Sequence, residues 1–352
     1  MDIAKYLAEA VQKGASDIFI VSGAALAYKS AGMIFREQGA PLTPEDTRDI
    51  VTQICVIAGM DADNLRRLKK EMDFSFPLPD VGRFRVNVYT QRGSLSAVLR
   101  FVPFTLPESA SLGIPPAVME LAACKNGIVL VTGPAGSGKS TTLACLVRRI
   151  NNMRSGHIIT IEDPIEFLHR HKRCIVSQRE INIDTESYLD ALTAALRQSP
   201  DFIQLGEMRD HEIINVAMTA AEMGRLVLST LHTLGAVSTI ERIIDAFPVN
   251  QQQQVRIQLS SVLKAVVSQQ LIPSVNGGLV PAFEIMTVNS EIKRMIRDER
   301  TDQIEMAMQC TEGMQTMDSC IERLYQNGII TPENAVEYAY NSENMKKRIY
   351  MA

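Results

Sequence analysis

Apolar and polar residues follow one rhythm over the first hundred positions of the chain and a different one afterwards. In the first stretch, a helical period predicts a helix near 2–13 and a longer helical segment from Pro44 to about Lys70, with a short strand from Asp17 to Val21 between them. The segments DFSFPL, GRFRVNVYTQ and SLSAVLRFVP then alternate with period two, separated by turn residues at Pro79-Asp80 and Arg92-Gly93. This mixture predicts a small α+β domain over residues 1–102. Four prolines between Pro103 and Pro116 break any period, which marks 103–116 as a linker.

From residue 117 onward strands and helices take turns. GIVLVTG, HIITIE, DFIQLGE and RLVLSTLH read as strands, with helices over 139–152, 186–197 and 210–222 between them. Near-continuous apolar runs belong to strands covered on both faces, so the expected fold is α/β, a mainly parallel sheet with helices packed on it. Beyond 237 helices dominate. They are interrupted by AVVSQQLIPSVNGGLVPAFEIM, where Asn-Gly-Gly between β-rich runs signals a hairpin. The second domain therefore spans 117–352 and ends in a helical region from about 287. In open parallel sheets, ligands bind at the carboxyl ends of the strands, and chemistry is to be sought there.

Composition narrows the function classes. A chain of 352 residues with 46% hydrophobic content can fill two cores. Lys plus Arg is 36 against 40 acids, for a net charge of −4, which gives no general attraction to nucleic acid or anionic lipid. No segment reaches 18 uncharged apolar residues, and Asp2, Lys5 and Glu9 stand where a signal peptide would be apolar. A soluble, cytosolic protein is expected. The six cysteines form no C-x-x-C pair and lack histidines at zinc-ligand spacing, so neither a metal cluster nor a disulfide is expected of them.

The sharpest motif is GPAGSGKS, which satisfies G-x-x-x-x-G-K-[ST] between an apolar strand and a helix. Gly133, Pro134, Ala135, Gly136, Ser137 and Gly138 form the loop whose backbone N–H groups cradle phosphates. Lys139 reaches the β and γ phosphates, Ser140 ligates Mg2+, and Thr141 is expected to bind the nucleotide with them. A phosphate loop alone leaves kinase, GTPase, ATPase and transporter subunit open, and the other strand ends narrow the choice. DFIQLGEMRD ends on Glu207, a candidate for holding Mg2+ through water. Its Gln204 is odd in a buried strand and is expected to meet a neighbouring polar group. STLHT ends on His232, with Thr230 and Thr233 beside it. In IITIEDPIEF, Glu162 is the acid best placed to polarise a water beyond the γ phosphate, with Asp163 orienting it. On position alone, the competing reading makes Glu162 or Asp163 a loop cap beside Pro164, and Glu166 reads as structural. Arg83, Arg85, Arg92 and Arg100 enrich one strand pair of the first domain. They are either solvated strand positions or a source of a trans arginine finger.

Taken together, GPAGSGKSTT, IITIEDPIEF, SQREINIDTESYLDALTAALRQSPDFIQLGEMRD and RLVLSTLHT resemble the secretion ATPases, and within them the PilT family of type IV pilus retraction motors. The resemblance runs from about residue 16 to the C-terminus. It implies a PAS-like N-terminal domain and a RecA-like P-loop ATPase domain, assembled as a homohexamer that uses ATP and Mg2+ to withdraw pilin during twitching motility. It further implies a position at the cytoplasmic face of the inner membrane, an inner-membrane platform protein and other pilus ATPases as partners, and no specific nucleic acid. Carried over residue by residue, Lys139 and Ser140 bind phosphate and Mg2+, Glu162 is the catalytic glutamate, Glu207 the Walker B acid and His232 the His-box sensor. Among the arginines, Arg85 and Arg100 are favoured as catalytic. Assembly motors of the superfamily carry a tetracysteine and a longer N-terminal extension, both missing here. EIKRMIRDE, 291–299, is similar to the retraction family's C-terminal A-I-R-N-L-I-R-E segment but departs from it at Glu291, Lys293, Arg294, Met295 and Asp298. The first domain departs further, since VSGAALAYKSAGMIFREQG lacks the family's paired prolines. An accessory retraction ATPase, a related secretion or DNA-uptake motor, and a non-hydrolysing nucleotide-binding ring scaffold remain as alternatives.

Overall fold

A computed structural model describes residues 2–30, 33–61, 71–103 and 106–351. The chain divides into two compact units, residues 1–105 and 106–352.

The N-terminal unit runs α1 (Ile3–Gln12), β1 (Asp17–Ile20), β2 (Ala27–Ser30), β3 (Met33–Arg36), α2 (Pro44–Ile57), β4 (Glu71–Leu78), β5 (Gly82–Gln91) and β6 (Ser94–Val102). Its strands form one antiparallel sheet in the order β3-β2-β1-β6-β5-β4. Phe76, Phe84, Val86 and Leu99 fill the inner face together with Ile3 and Leu7 of α1 and Ile54 of α2. Arg92 and Gly93 both take positive φ, which is what a two-residue turn between Gln91 and Ser94 requires. The helix expected from Pro44 to about Lys70 is shorter: it ends at Ile57, and Gly59 then turns the chain with φ +71°. The rest of that expectation, 62–70, lies outside the described residues. The pair β2 and β3 has no counterpart in the sequence reading.

The C-terminal unit opens with α3 (Pro116–Glu120), β7 (Gly127–Thr132), α4 (Lys139–Met153), β8 (Gly156–Glu162) and β9 (Cys174–Glu180). It continues with α5 (Tyr188–Ala195), β10 (Phe202–Leu205), α6 (His211–Glu222), β11 (Leu226–Leu231), α7 (Ala236–Asp245) and α8 (Val249–Val262). The hairpin β12 (Leu263–Pro273) and β13 (Leu279–Thr287) leads into α9 (Ser290–Arg297), α10 (Ile304–Cys310), α11 (Met317–Gln326), α12 (Pro332–Tyr338) and α13 (Ser342–Tyr350). Seven strands order as β13-β12-β7-β11-β10-β8-β9, parallel from β12 to β9, with β13 antiparallel at one edge.

Alternation along these strands serves two cores. Ile128, Leu130, Ile159, Ile161, Ile203 and Leu205 face α5 to α8, while Val129, Val131, Ile158, Phe202 and Leu228 face α3 and α4. Strand β9 was not anticipated, because its second half, Ser-Gln-Arg-Glu, is polar. The 291–299 segment lies mostly on α9, which buries Ile292, Met295 and Ile296 and leaves Arg294 and Arg297 exposed. Gln204 departs from expectation: it is 5% exposed, yet its Oε1 meets no hydrogen-bond partner among the described residues.

Candidate functional site

All six residues of β7 are buried, and the chain leaves the sheet at Thr132 into the Gly133–Gly138 loop. The loop lies against β12. A Cβ at Gly133 would stand 2.2 Å from the Gln269 carbonyl oxygen, and φ there is +140°, so no other residue fits. Gln269 braces the loop a second way, since its Oε1 accepts a hydrogen bond from the Thr142 hydroxyl at 2.7 Å, fully buried. The N-terminus of α4 carries no side-chain cap at Gly138, whereas Asp2, Thr43, Ser187, Asp210, Asn289 and Thr316 cap other helices. Uncapped N–H groups at a helix start, together with its dipole, suit an anion.

Lys139, 7% exposed, donates from Nζ to the carbonyls of Gly133 and Pro134 at 2.8 Å each, and its Nζ lies 3.4 Å from His232 Nδ1. Burial lowers its pKa from the ordinary lysine value. With an ammonium facing Nδ1, the imidazole proton belongs on Nε2, which donates to Glu207 Oε2 at 3.1 Å. The other oxygen of Glu207 pairs with Arg209 Nε, and Arg209 Nη2 lies 3.6 Å from Asp163 Oδ2. One chain of polar contacts thus runs Lys139, His232, Glu207, Arg209, Asp163 across four adjacent strand ends.

Glu162 ends β8 and is 8% exposed. Thr160 Oγ1 donates to its Oε1 at 2.6 Å and Gln178 Nε2 at 3.2 Å. Burial pushes its pKa up to about 7; the two donors, and the Glu166 N–H, pull it part of the way back. Gln178, from the unanticipated β9, also donates to the Phe167 carbonyl at 2.9 Å, which ties the loop after Glu162 to the sheet.

These residues surround a cavity of about 460 Å³. Ala135, Gly136, Gly138, Lys139, Ser140 and Thr141 form one wall. Glu162, Asp163, Gln204, Glu207, Thr230 and His232 form the other, joined by Glu166 and Tyr188. The anticipated P-loop and strand-end groups therefore converge. Of the remaining loop residues, Gly133 and Pro134 serve through their carbonyls to Lys139, and Ser137 is buried with its hydroxyl unpartnered among the described residues. Arg85 and Arg100 are register partners on β5 and β6 of the N-terminal unit, where Arg100 Nε lies 3.0 Å from Asp17 Oδ1. Sequence reasoning missed Gln178, Arg209 and Gln269 and left Glu166 outside the site. Arg209, two residues past Glu207 in GEMRD, had the one local signal, a cation beside the expected metal-binding acid.

Comparison with known proteins points the same way. The family model of type II/IV secretion system proteins matches residues 1–323. The type IV pilus retraction ATPase PilT of Pseudomonas aeruginosa is 42% identical over 348 residues, covering 98% of this chain and 100% of that protein. The type IV pilus ATPase PilU of the same organism is 37% identical over 354 residues, covering 99% of this chain and 91% of that one. A crystal structure of the pilus retraction motor PilT with bound ADP superposes with a TM-score of 0.92 at 45% identity, covering 99% of both chains.

Proposed function

This chain belongs to the type II/IV secretion system protein family, and from that membership we propose that it is the ATPase motor of type IV pilus retraction, hydrolysing ATP with Mg2+ as a homohexamer. The single observation that carries the reading is the convergence on one cavity of a P-loop lysine, a buried glutamate with a pKa near 7 and a Glu–His pair, all at adjacent strand ends. Each group has work to do in phosphoryl transfer to water. The uncapped start of α4 and the loop N–H groups bind the phosphates, and Lys139 exchanges the Gly133 and Pro134 carbonyls for β and γ oxygens. Glu162 takes the proton of the attacking water, for which a base titrating near neutrality is suited.

The Ser140 hydroxyl and the Glu207 carboxylate are hard oxygen donors on the cavity wall and would hold Mg2+, Glu207 through water. When bound, that ion neutralises charge on the phosphates. Release of Glu207 from Arg209 frees it for this role, while His232 Nε2 keeps the carboxylate oriented. Arg85 and Arg100, both exposed, supply the arginine of a neighbouring subunit's site in the assembled ring. Docking of the ring on an inner-membrane platform completes the reading; among the described residues no helix is long and apolar enough to cross a membrane.

Steady-state ATPase assays of the purified protein beside Glu162→Gln test this. Wild type should turn over, and the variant should lose roughly 100-fold or more while retaining ADP affinity. Wild type no faster than the variant would leave a nucleotide-binding scaffold instead. In cells, deletion should leave surface pili in place and abolish their retraction.

A further inference from the structure

The loop between β8 and β9, residues 163–173, contributes Asp163, Pro164 and Glu166 to the cavity wall. Side chains from the flanking elements hold its backbone. Asn151 of α4 donates to the Arg170 carbonyl at 2.7 Å and accepts from the Lys172 and Cys174 N–H groups at 3.2 Å each. Gln178 of β9 serves the other end of the loop: its Oε1 accepts from the His169 N–H at 2.7 Å, and its Nε2 donates to the Phe167 carbonyl at 2.9 Å. These two backbone groups differ in kind, which decides how the amide faces. Its oxygen must meet the N–H and its nitrogen the carbonyl. Nε2 carries a second hydrogen, and that one serves Glu162 Oε1, 3.2 Å away, the oxygen to which the Thr160 hydroxyl also donates at 2.6 Å. In the parallel register Gln178 stands beside Thr160, so one donor comes from the strand of Glu162 and the other from its neighbour. An amide free to turn could present its oxygen instead, which would repel the carboxylate; the loop backbone excludes that orientation.

We propose that Gln178 is the positioning residue of the catalytic base: the backbone at Phe167 and His169 orients its amide so that a donor meets Glu162 and favours the carboxylate form. The inference rests on the ATPase reading above. A hydrogen bond to the charged form lowers a carboxyl pKa, and Gln178 acts in that direction on Glu162 against the larger effect of burial. Glu166 of the same loop acts through its charge the opposite way. The other titratable groups around Glu162 are its register partner Glu180, Asp163 beside it, Tyr188 of α5 and, on the cavity wall, Lys139, Glu207 and His232. Substitution at 178 leaves all of them in place.

The test is Gln178→Met and Gln178→Glu in the full-length protein, with the pH profile of kcat/KM for ATP, ADP affinity by titration calorimetry and thermal midpoint measured for each. Methionine keeps the length and loses every hydrogen bond. Glutamate keeps the acceptor for His169 and replaces both donors by a charge. The acidic limb should move to higher pH in both variants, further in Gln178→Glu, and kcat/KM below neutrality should fall by roughly 3- to 10-fold in Gln178→Met. ADP affinity should stay within about twofold, because Gln178 lies outside the cavity wall and acts on the base alone. A limb unmoved in Gln178→Met, beside an active wild type, overturns the assignment and leaves the ATPase reading intact, whatever the thermal midpoint does, since a residue that only holds the loop lowers the midpoint without moving the limb. Should Gln178→Met be unfolded at the assay temperature, the limb of Gln178→Leu decides in the same way. A limb moved by Gln178→Glu alone also overturns the assignment, because an added charge acts without any lost donor. An inactive wild type overturns both readings.

Discussion

Glu162 carries its charge against the fold. Its folded-state pKa, about 7, lies above the ordinary glutamate value, so the carboxyl is mostly protonated in mildly acidic solution and a carboxylate in mildly alkaline solution. A base must be deprotonated to act, which sets the sign. The kcat/KM for ATP should fall about tenfold per pH unit below an apparent pKa near 7 and level off above it. The hydrogen bond from Thr160 favours the charged form, so Thr160→Val should move that limb to higher pH. A limb at the value of an exposed glutamate, unmoved by Thr160→Val, would remove Glu162 from the role of base. At this scale Glu162, Glu207, His232 and Lys139 were legible, because a strand end followed by an acid or histidine is a local pattern. Gln178 and Arg209 were not marked: what makes them part of the site is the carboxylate each meets, and no local period reports that.

Strand β12 decides how well the phosphate loop is held, although it follows the loop by more than a hundred residues. Its Gln269 accepts from Thr142 inside α4 and presents its carbonyl where any side chain at Gly133 would stand. Gln269→Ala orphans a fully buried hydroxyl, which should cost about 1–3 kcal/mol in urea unfolding and weaken ADP binding, though the residue lies outside the cavity wall. In a Thr142→Val background the same change should cost clearly less; equal costs in both backgrounds would show that the two residues are not coupled. The strands β7, β8, β10 and β11 were readable as near-continuous apolar runs, and the β12–β13 hairpin from Asn-Gly-Gly. Strand β9 was unreadable, since its Ser177, Gln178 and Arg179 are polar and partly buried against other polar groups. The early end of α2 was hidden because the apolar period runs on past Gly59.

Each of the two units has its own core, the N-terminal one around Phe84 and Leu99 and the C-terminal one on both faces of the parallel sheet. Residues 106–352 should therefore fold alone and bind ADP as tightly as the full chain. Because Arg85 and Arg100 are then missing, ATP turnover should fall by about 10³ or more. Titration calorimetry and steady-state assays on the fragment check both halves, and full turnover by it would retire the arginine proposal. Local chemistry determined what the sequence alone could determine: an α/β class from periodicity and apolar runs, a phosphate loop from glycines and a lysine at fixed spacing, and acids at strand ends. The order β13-β12-β7-β11-β10-β8-β9 belongs to the tertiary structure, because chain order does not dictate which parallel strands lie side by side. That order sets Thr160 and Gln178 against Glu162, rests Gln269 on the loop and buries the Gln204 Oε1 without a partner among the described residues. Desolvation and hydrogen bonding act through neighbours in space, so the pKa of Glu162 and the unmet acceptor of Gln204 exist only once the sheet has formed.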